Sequence, residues 1–180
     1  MLCVSKMNQP VLKTRRLLLR SFNLEDANKV QNLAGNYNVS KTTLNIPYPY
    51  ESGMAEEWIN PQSENWKSRT SVVYAITLSE SDELVGAISL MQIDGIQGEL
   101  GYWIGEPYWR KGYCTEAAEA LIQFSFDKLK ISKIFAEHLT SNPASGEVMK
   151  KVGMLHSETT QKVDRAGRMA DIENYEIRNT

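Results

Sequence analysis

The sequence predicts a single mixed α/β domain, a mostly antiparallel sheet of about seven strands with helices on its faces. Three observations carry this. Apolar residues recur with a 3.6-residue period over Thr115–Lys130, the signature of an amphipathic helix. Short apolar or alternating runs, bounded by Gly, Pro, Asn and Asp, recur along the chain and read as strands. Their order is strand, helices, three strands, helix, strand, helix, two strands, which differs from the strict alternation of a doubly wound sheet. The 180 residues suit one domain, residues 11–180, preceded by an N-terminal extension over 1–10.

Val11–Phe22 reads as the first strand, centred on Leu17, Leu18 and Leu19. A helix follows from Leu24 to about Ala34, with Asn23 as N-cap, Glu25 and Asp26 at its positive end, and Gly35-Asn36 as its stop. Residues 37–69 are less regular. Ile46-Pro47-Tyr48-Pro49-Tyr50 is extended, because each proline disfavours the helical conformation in its predecessor. Met54–Arg69 is expected to be helical, with Trp58 and Trp66 on one stripe and Pro61 as a breaking point. Ser71–Leu78 and Leu84–Ile93 form a hairpin around the polar Ser79–Glu83 turn, and Glu99–Gly105 follows the Asp94-Gly95 turn. On the Thr115–Lys130 helix, Ala117, Ala120, Leu121, Phe124 and Leu129 form the core face. Lys133–Leu139 is a strand, and Pro143 starts a short helix ending near Gly153. Leu155–Val163 and Met169–Ile177 are the last strands, turning near Ala166-Gly167.

Composition excludes several classes. Lys+Arg is 20 and Asp+Glu 22, a net charge of -2 that offers no broad basic footprint for nucleic acid. No apolar run approaches the roughly 18 residues of a membrane span. The N-terminus lacks the zones of a secretory signal, so a cytoplasmic protein is expected. Two cysteines, Cys3 and Cys114, and two histidines, His138 and His156, are too scattered for a disulfide framework, and no metal site is expected.

The informative stretch runs from Glu99 to Ala117: a strand, a tight basic loop with Gly112, then an amphipathic helix. A helix start offers unpaired N–H donors and a positive dipole end. Gly112 permits close approach of a ligand, and Arg110 and Lys111 add positive charge. The combination suits a pyrophosphate. Neither G-x-G-x-x-G nor G-x-x-x-x-G-K-[ST] is present in this loop, so a dinucleotide fingerprint and a P-loop are not supported.

These residues resemble the GNAT superfamily of acetyl-CoA-dependent N-acetyltransferases, and more closely its RimJ/RimL-type ribosomal-protein N-terminal acetyltransferase branch. The resemblance covers nearly the whole chain. It rests on Thr14–Arg20, Gly101–Ile104, Gly112–Ala117, Asn142–Ser145 and Lys151–Met154, in that order. It implies the family's sheet, splayed at the cofactor-binding strand. It also implies that Trp109, Arg110, Lys111, Gly112, Tyr113, Cys114 and Thr115 wrap the pyrophosphate of coenzyme A. Trp109 stands where the family's phosphate loop has Gln or Arg, and Cys114 stands where it has a small residue. Backbone groups of Tyr102, Trp103 and Ile104 would pair with the pantetheine arm as an added strand. Asn142 is an N-cap before Pro143 on its own chemistry, and the resemblance adds a hydrogen bond to the same arm.

Amine acetylation needs a deprotonated amine, a donor for the oxyanion and a proton for the departing thiolate. Many GNAT members place a Tyr seven residues after the Asn for that last role, but Met149 occupies the position here. In RimL-like members a Ser three residues after the Asn is proposed instead, which is Ser145. Glu99, opening the cofactor-binding strand, is the candidate general base. Alternation puts Glu99, Gly101 and Trp103 on one face and Leu100, Tyr102 and Ile104 on the other. Cys114, at a helix start beside Arg110 and Lys111, is expected to have a lowered thiol pKa. No histidine lies near it in sequence, which argues against a nucleophile. His138 and His156 read as strand residues.

The expected acceptor is a primary amine, foremost a protein N-terminal α-amine of the ribosomal-protein type. The alternatives are a small polyamine or antibiotic amine, and a non-catalytic acyl-CoA-binding sensor. Acceptor choice is expected in residues 37–69 and the turn near Gly167. Tyr48 and Tyr50 are wall candidates there, and Trp58 and Trp66 are read as core. Asp94 and Asp171 are further candidates to hold an ammonium group. Monomer and homodimer are equally compatible with the sequence.

Overall fold

The structure, a computed structural model, describes residues 8–164 and 167–179. Cys3, Ala166 and most of the expected N-terminal extension therefore lie outside the described residues. The expected first strand is two short antiparallel strands, β1 (Leu12–Lys13) and β2 (Leu17–Arg20). Thr14 makes the turn between them. Its N–H donates to the Leu17 carbonyl and its hydroxyl accepts the Leu17 N–H, each at 3.0 Å.

Asn23 caps as expected. Its side chain accepts the Glu25 N–H, and Asp26 reaches back to the Asn23 N–H at 3.0 Å. One 3-10 turn then leads into α1 (Ala27–Ala34), ended at Gly35. A short helix within the irregular region, α2 (Tyr37–Ser40), is capped by the Asn36 side chain. It was not readable from periodicity, being one turn long.

Residues 54–69 form two helices, α3 (Met54–Ile59) and α4 (Gln62–Ser68), divided at Asn60-Pro61. Proline has no N–H to continue the ladder. The break separates the two tryptophans, which do not share a stripe. Trp66 is buried beside Phe124 on one face of the sheet, whereas Trp58 meets Phe22 edge-on at 4.9 Å on the other.

The centre of the sheet is an antiparallel meander of β3 (Val72–Leu78), β4 (Leu84–Met91) and β5 (Gln97–Ile104). Next come α5 (Tyr113–Phe124), extended by a π-turn over Ser125–Leu129, and β6 (Lys133–Leu139). The chain ends with α6 (Pro143–Lys151), β7 (Leu155–Val163) and β8 (Met169–Arg178). The spatial order is β1-β2-β3-β4-β5-β6-β8-β7, eight strands rather than about seven because the first is divided. Period-2 alternation sorts the core. Tyr74 and Ile76 face α5, which buries Ala117, Ala118, Leu121 and Ile122, while Ala75 faces α1 and α3.

One feature of topology positions the site. β5 and β6 run parallel, joined by the α5 crossover that parallel neighbours require. They pair only from Gln97↔Lys133 to Leu100↔Ala136. Beyond that point β5 stays with β4 while β6 continues alongside β8 to Leu139↔Ile172. The two strands part, and Gly101–Ile104 has no strand partner on its β6 side among the described residues.

Candidate active site

The gap between β5 and β6 opens into a cleft of about 1290 Å³ that reaches both faces of the sheet. All the sequence-predicted catalytic and cofactor-binding residues line it: Glu99, Tyr102, Trp103 and Ile104, the loop Trp109–Thr115, Asn142 and Ser145. The expected alternation along β5 holds. Leu100 and Ile104 are buried on the α5 face, and Trp103 packs with the α1–α3 cluster.

The loop before α5 is held in a fixed shape. Gly112 has φ 78°, a left-handed conformation that glycine adopts without strain. Arg110 also has positive φ, at 62°. The Trp109 indole N–H donates to the Ile104 carbonyl at 2.7 Å, tying the loop back to the end of β5. The start of α5 leaves the N–H groups of Tyr113, Cys114 and Thr115 without intrahelical acceptors. Arg110 and Lys111 are exposed.

The anchor of this loop was not legible in the sequence. The Glu116 carboxylate accepts from the Thr14 hydroxyl at 2.7 Å, the Arg16 N–H at 2.8 Å and the Arg16 Nε at 2.7 Å. Arg16 Nη1 then donates to the Lys111 carbonyl at 2.9 Å, and its guanidinium lies 4.9 Å from the Tyr113 ring centre. Burial works to raise the Glu116 carboxyl, but the Thr14 and Arg16 hydrogen bonds outweigh it and hold the group below its ordinary range.

On the α5–α6 side, Ser145 Oγ donates to the Tyr102 hydroxyl at 3.0 Å, and that hydroxyl donates to the Ser145 carbonyl at 2.9 Å. Burial pushes the Tyr102 phenol far up, so it stays protonated. The Asn142 side chain makes no capping bond. Its Nδ2 instead reaches across the cleft to the Thr42 carbonyl at 3.0 Å. Cys114 corrects the expectation of an acidic thiol. Burial pushes it up, because desolvation of the thiolate outweighs the helix start. Met149 is buried in the core. His138, read as a strand residue, lies on β6 and lines the cleft: its Nδ1–H donates to the Leu139 carbonyl at 2.8 Å, and its buried Nε2 packs over Gly146.

Glu99 lies on the opposite face, with its Oε2 accepting from the Gln92 amide at 2.6 Å. A side pocket of about 280 Å³ opens beside it, lined also by Glu137 and Lys162, which form an ion pair. Burial first, and then the Glu137 charge, push the Glu99 carboxyl above its ordinary value; Lys162 pulls it partly back. Glu137 and Lys162 were not singled out in the sequence; strand register alone brings them here. Two other expected ammonium holders do not join the site. Asp94 accepts the N–H groups of Ile96 and Gln97 in its own turn, and Asp171 accepts from Gln161 on the outer hairpin. Tyr50 lines the cleft, while Tyr48 is exposed against Tyr37.

Among the described residues no helix is long and apolar enough to cross a membrane, and no three His, Cys, Asp or Glu side chains gather as a metal site. Residues 16–155 match the acetyltransferase (GNAT) domain family. The chain belongs to that family. It is an acetyl-CoA-dependent N-acetyltransferase. The uncharacterized N-acetyltransferase YnaD of Bacillus subtilis is 30% identical over 144 residues, 79% of this chain and 81% of that protein. Two solved structures share the fold. The RimL ribosomal α-N-protein acetyltransferase in complex with coenzyme A aligns with TM-score 0.81 at 16% identity, covering 94% of this chain and 98% of RimL. The spermidine N-acetyltransferase of Vibrio cholerae, in complex with CoA and spermine, aligns with TM-score 0.78 at 21% identity, covering 92% and 96%.

The cleft suits coenzyme A on its own evidence. An unpaired strand edge, a left-handed glycine and a helix start lie along one continuous wall. These match an amide-bearing arm followed by a pyrophosphate.

Proposed function

We propose that this enzyme transfers the acetyl group of acetyl-CoA directly to a primary amine in a ternary complex, and that the amine is a protein N-terminal α-amine. The observation that carries the reading is the open edge of Gly101–Ile104, continuous with the Gly112 loop. Acetyl-CoA, when bound, supplies an activated thioester. Along the Tyr102–Ile104 edge, the backbone groups of Tyr102 and Ile104 that point away from β4 bind its arm, while the Trp103 backbone pairs with Ala87. The N–H groups of the loop, with Arg110 and Lys111, bind its pyrophosphate. Ile104 is buried toward α5, so its contribution is its backbone. Asn142 contributes a side-chain amide at the parting of β5 and β6.

Glu99 takes the proton from the acceptor ammonium. Its raised pKa makes it a stronger base than an exposed carboxylate. Ser145 Oγ, which donates to the Tyr102 hydroxyl in the structure, turns its proton to the departing sulfur and takes one back from the attacking nitrogen as the amide forms. Cys114 takes no covalent part, because desolvation raises the pKa of its half-buried thiol.

Isothermal titration with acetyl-CoA tests the reading, comparing wild type with Gly112→Trp. A side chain at φ 78° strains the loop. The expected result is wild-type binding and its loss in the folded variant. Wild-type protein that binds acetyl-CoA but acetylates neither N-terminal peptides nor polyamines would be a sensor rather than an enzyme of this kind. Turnover of spermidine but not of peptides would move the acceptor to the polyamine class.

A further inference from the structure

The acceptor side of the cleft has a composition that selects among amines. On the face of β5 that carries Glu99, the alternating positions are Glu99, Gly101 and Trp103. Across the β4–β5 pairing these meet Met91, Ser89 and Ala87 in turn, and Val73 of β3 lies beside Ser89. All of these residues line the cleft. The middle of this strip is therefore a floor of small side chains: Val73, Ala87, Ser89 and Gly101. A Cβ at Gly101 would stand 2.9 Å from Met91 Cε and 3.3 Å from Ser89 Oγ, so the glycine keeps this floor low.

The facing wall comes from α1, α3 and the extended segment between α2 and α3. It presents Val30, Ile46, Tyr50, Met54 and Trp58. Polar groups of the segment, Thr42, Thr43 and Asn45, line the cleft as well. Asn45 also lines the pocket at Glu99, and the Thr42 carbonyl holds Asn142.

Charge is sparse along this strip. Of the other carboxylates lining the cleft, Glu137 is paired with Lys162, and Glu147 is paired with Lys150 on α6. Glu57 is exposed on α3. Between Glu99 and Trp103, a span of about 13 Å along the strand, the strand floor itself carries no acidic side chain; Glu57 on the α3 wall is the carboxylate that faces the cleft from the other side. A linear polyamine lying along the floor would bring an ammonium group over Val73, Ala87 and Gly101, where the strands offer it no carboxylate, and burying an unpaired charge costs several kcal/mol in general. An amine with an apolar body has no such penalty and gains from burying that body.

We infer that the acceptor is an amine whose neighbouring carbon carries a bulky apolar group. For a protein N-terminus this means a large apolar first residue, with its amine at Glu99 and its side chain on the floor between Ser89 and Trp103. This rests on the proposed acetyl transfer and narrows its substrate.

The test uses the full chain and three acceptors: a short peptide amide beginning with Phe, the same peptide beginning with Ser, and spermidine. Release of free coenzyme A thiol gives kcat/KM for each. The Phe peptide is expected to exceed both others by about tenfold or more, the scale of discrimination in an apolar pocket. A Ser89→Leu variant fills the floor. It is expected to raise KM for the Phe peptide by about tenfold or more, with acetyl-CoA affinity by calorimetry unchanged. Preference for the Ser peptide or spermidine overturns the inference while leaving acetyl transfer intact. So does an unchanged KM in a Ser89→Leu variant that still binds acetyl-CoA. Failure of wild type to bind acetyl-CoA overturns the underlying reading and this inference together.

Discussion

Replacing Glu116 by alanine cuts the tie between the phosphate-binding loop and the β1–β2 turn. Three hydrogen bonds are lost, from the Thr14 hydroxyl, the Arg16 N–H and the Arg16 guanidinium. A bond to a charged group is worth roughly 1.5–3 kcal/mol when shielded. The shielding here is uneven. The Glu116 side chain is 16% exposed and that of Arg16 is 43% exposed. The guanidinium contact therefore contributes at most about 1 kcal/mol, because water screens it. The Arg16 N–H lies at the exposed edge and regains water in the variant, so the Thr14 bond is the best shielded of the three. The sum is about 2–3 kcal/mol, or a fall in Tm of about 5–10 °C for a chain of this size.

The effect has a defined pH dependence. The folded-state pKa of Glu116 is below its ordinary value of 4.5, so the carboxylate's contribution is full above pH 4.5. It is lost as pH falls through the lower folded value. Thermal denaturation followed by circular dichroism should show a wide gap between wild type and variant at pH 7. The gap should narrow under acid conditions. Acetyl-CoA affinity should fall in parallel, since Arg16 also holds the Lys111 carbonyl. A variant that melts within about 2 °C of wild type at pH 7, a shift below 1 kcal/mol, would refute this reasoning.

Three further outcomes are expected. The acid limb of kcat/KM should lie above pH 4.5, because burial and Glu137 raise the Glu99 carboxyl; Lys162→Met should move it higher and Glu137→Gln lower, and a limb insensitive to both would remove Glu99 as the base. Ser145→Ala should lower kcat by up to about 100-fold with KM for acetyl-CoA unchanged, and Tyr102→Phe by a smaller factor of about 5–10, the range of a donor and its positioning partner. Equal KM and kcat effects would make both residues binding groups instead. In a Cys3→Ser background, Cys114 should react with iodoacetamide at pH 8 at least about tenfold slower in the native protein than in the unfolded one, since its raised pKa keeps the thiol protonated.

Much of the fold was legible because its signals are local. Asn23 is the expected cap, to which Asp26 adds a reciprocal bond, and Lys133–Leu139 and Leu155–Val163 are strands with the expected bounds. The misreadings come from contacts distant in sequence or from single residues. Thr14 folds its hydroxyl onto Leu17 and divides an apolar run that looks continuous. Pro61 was visible as a possible break, but the two faces served by Trp58 and Trp66 depend on where the helices dock. The loop and its glycine could be read from residue types, whereas its anchor at Glu116 lies 100 residues from Arg16. Ser145 could be named, but its bond to Tyr102 needs α6 laid against β5. Cys114 was misjudged because burial depends on tertiary packing, and burial dominates its titration.

The parting of β5 and β6 has a mechanical meaning. Strands β1–β5 and the β6–β8–β7 group meet along only four residue pairs, from Gln97↔Lys133 to Leu100↔Ala136. A sheet joined at one end and free at the other is built like a clothes-peg, with those four pairs as its spring. Whatever lies between the jaws touches both groups of strands and acts as a fifth and later rung. Amide exchange at Gly101–Ile104 and at Glu137–Leu139 should therefore slow together when the gap is filled, although the two segments belong to different halves of the sheet.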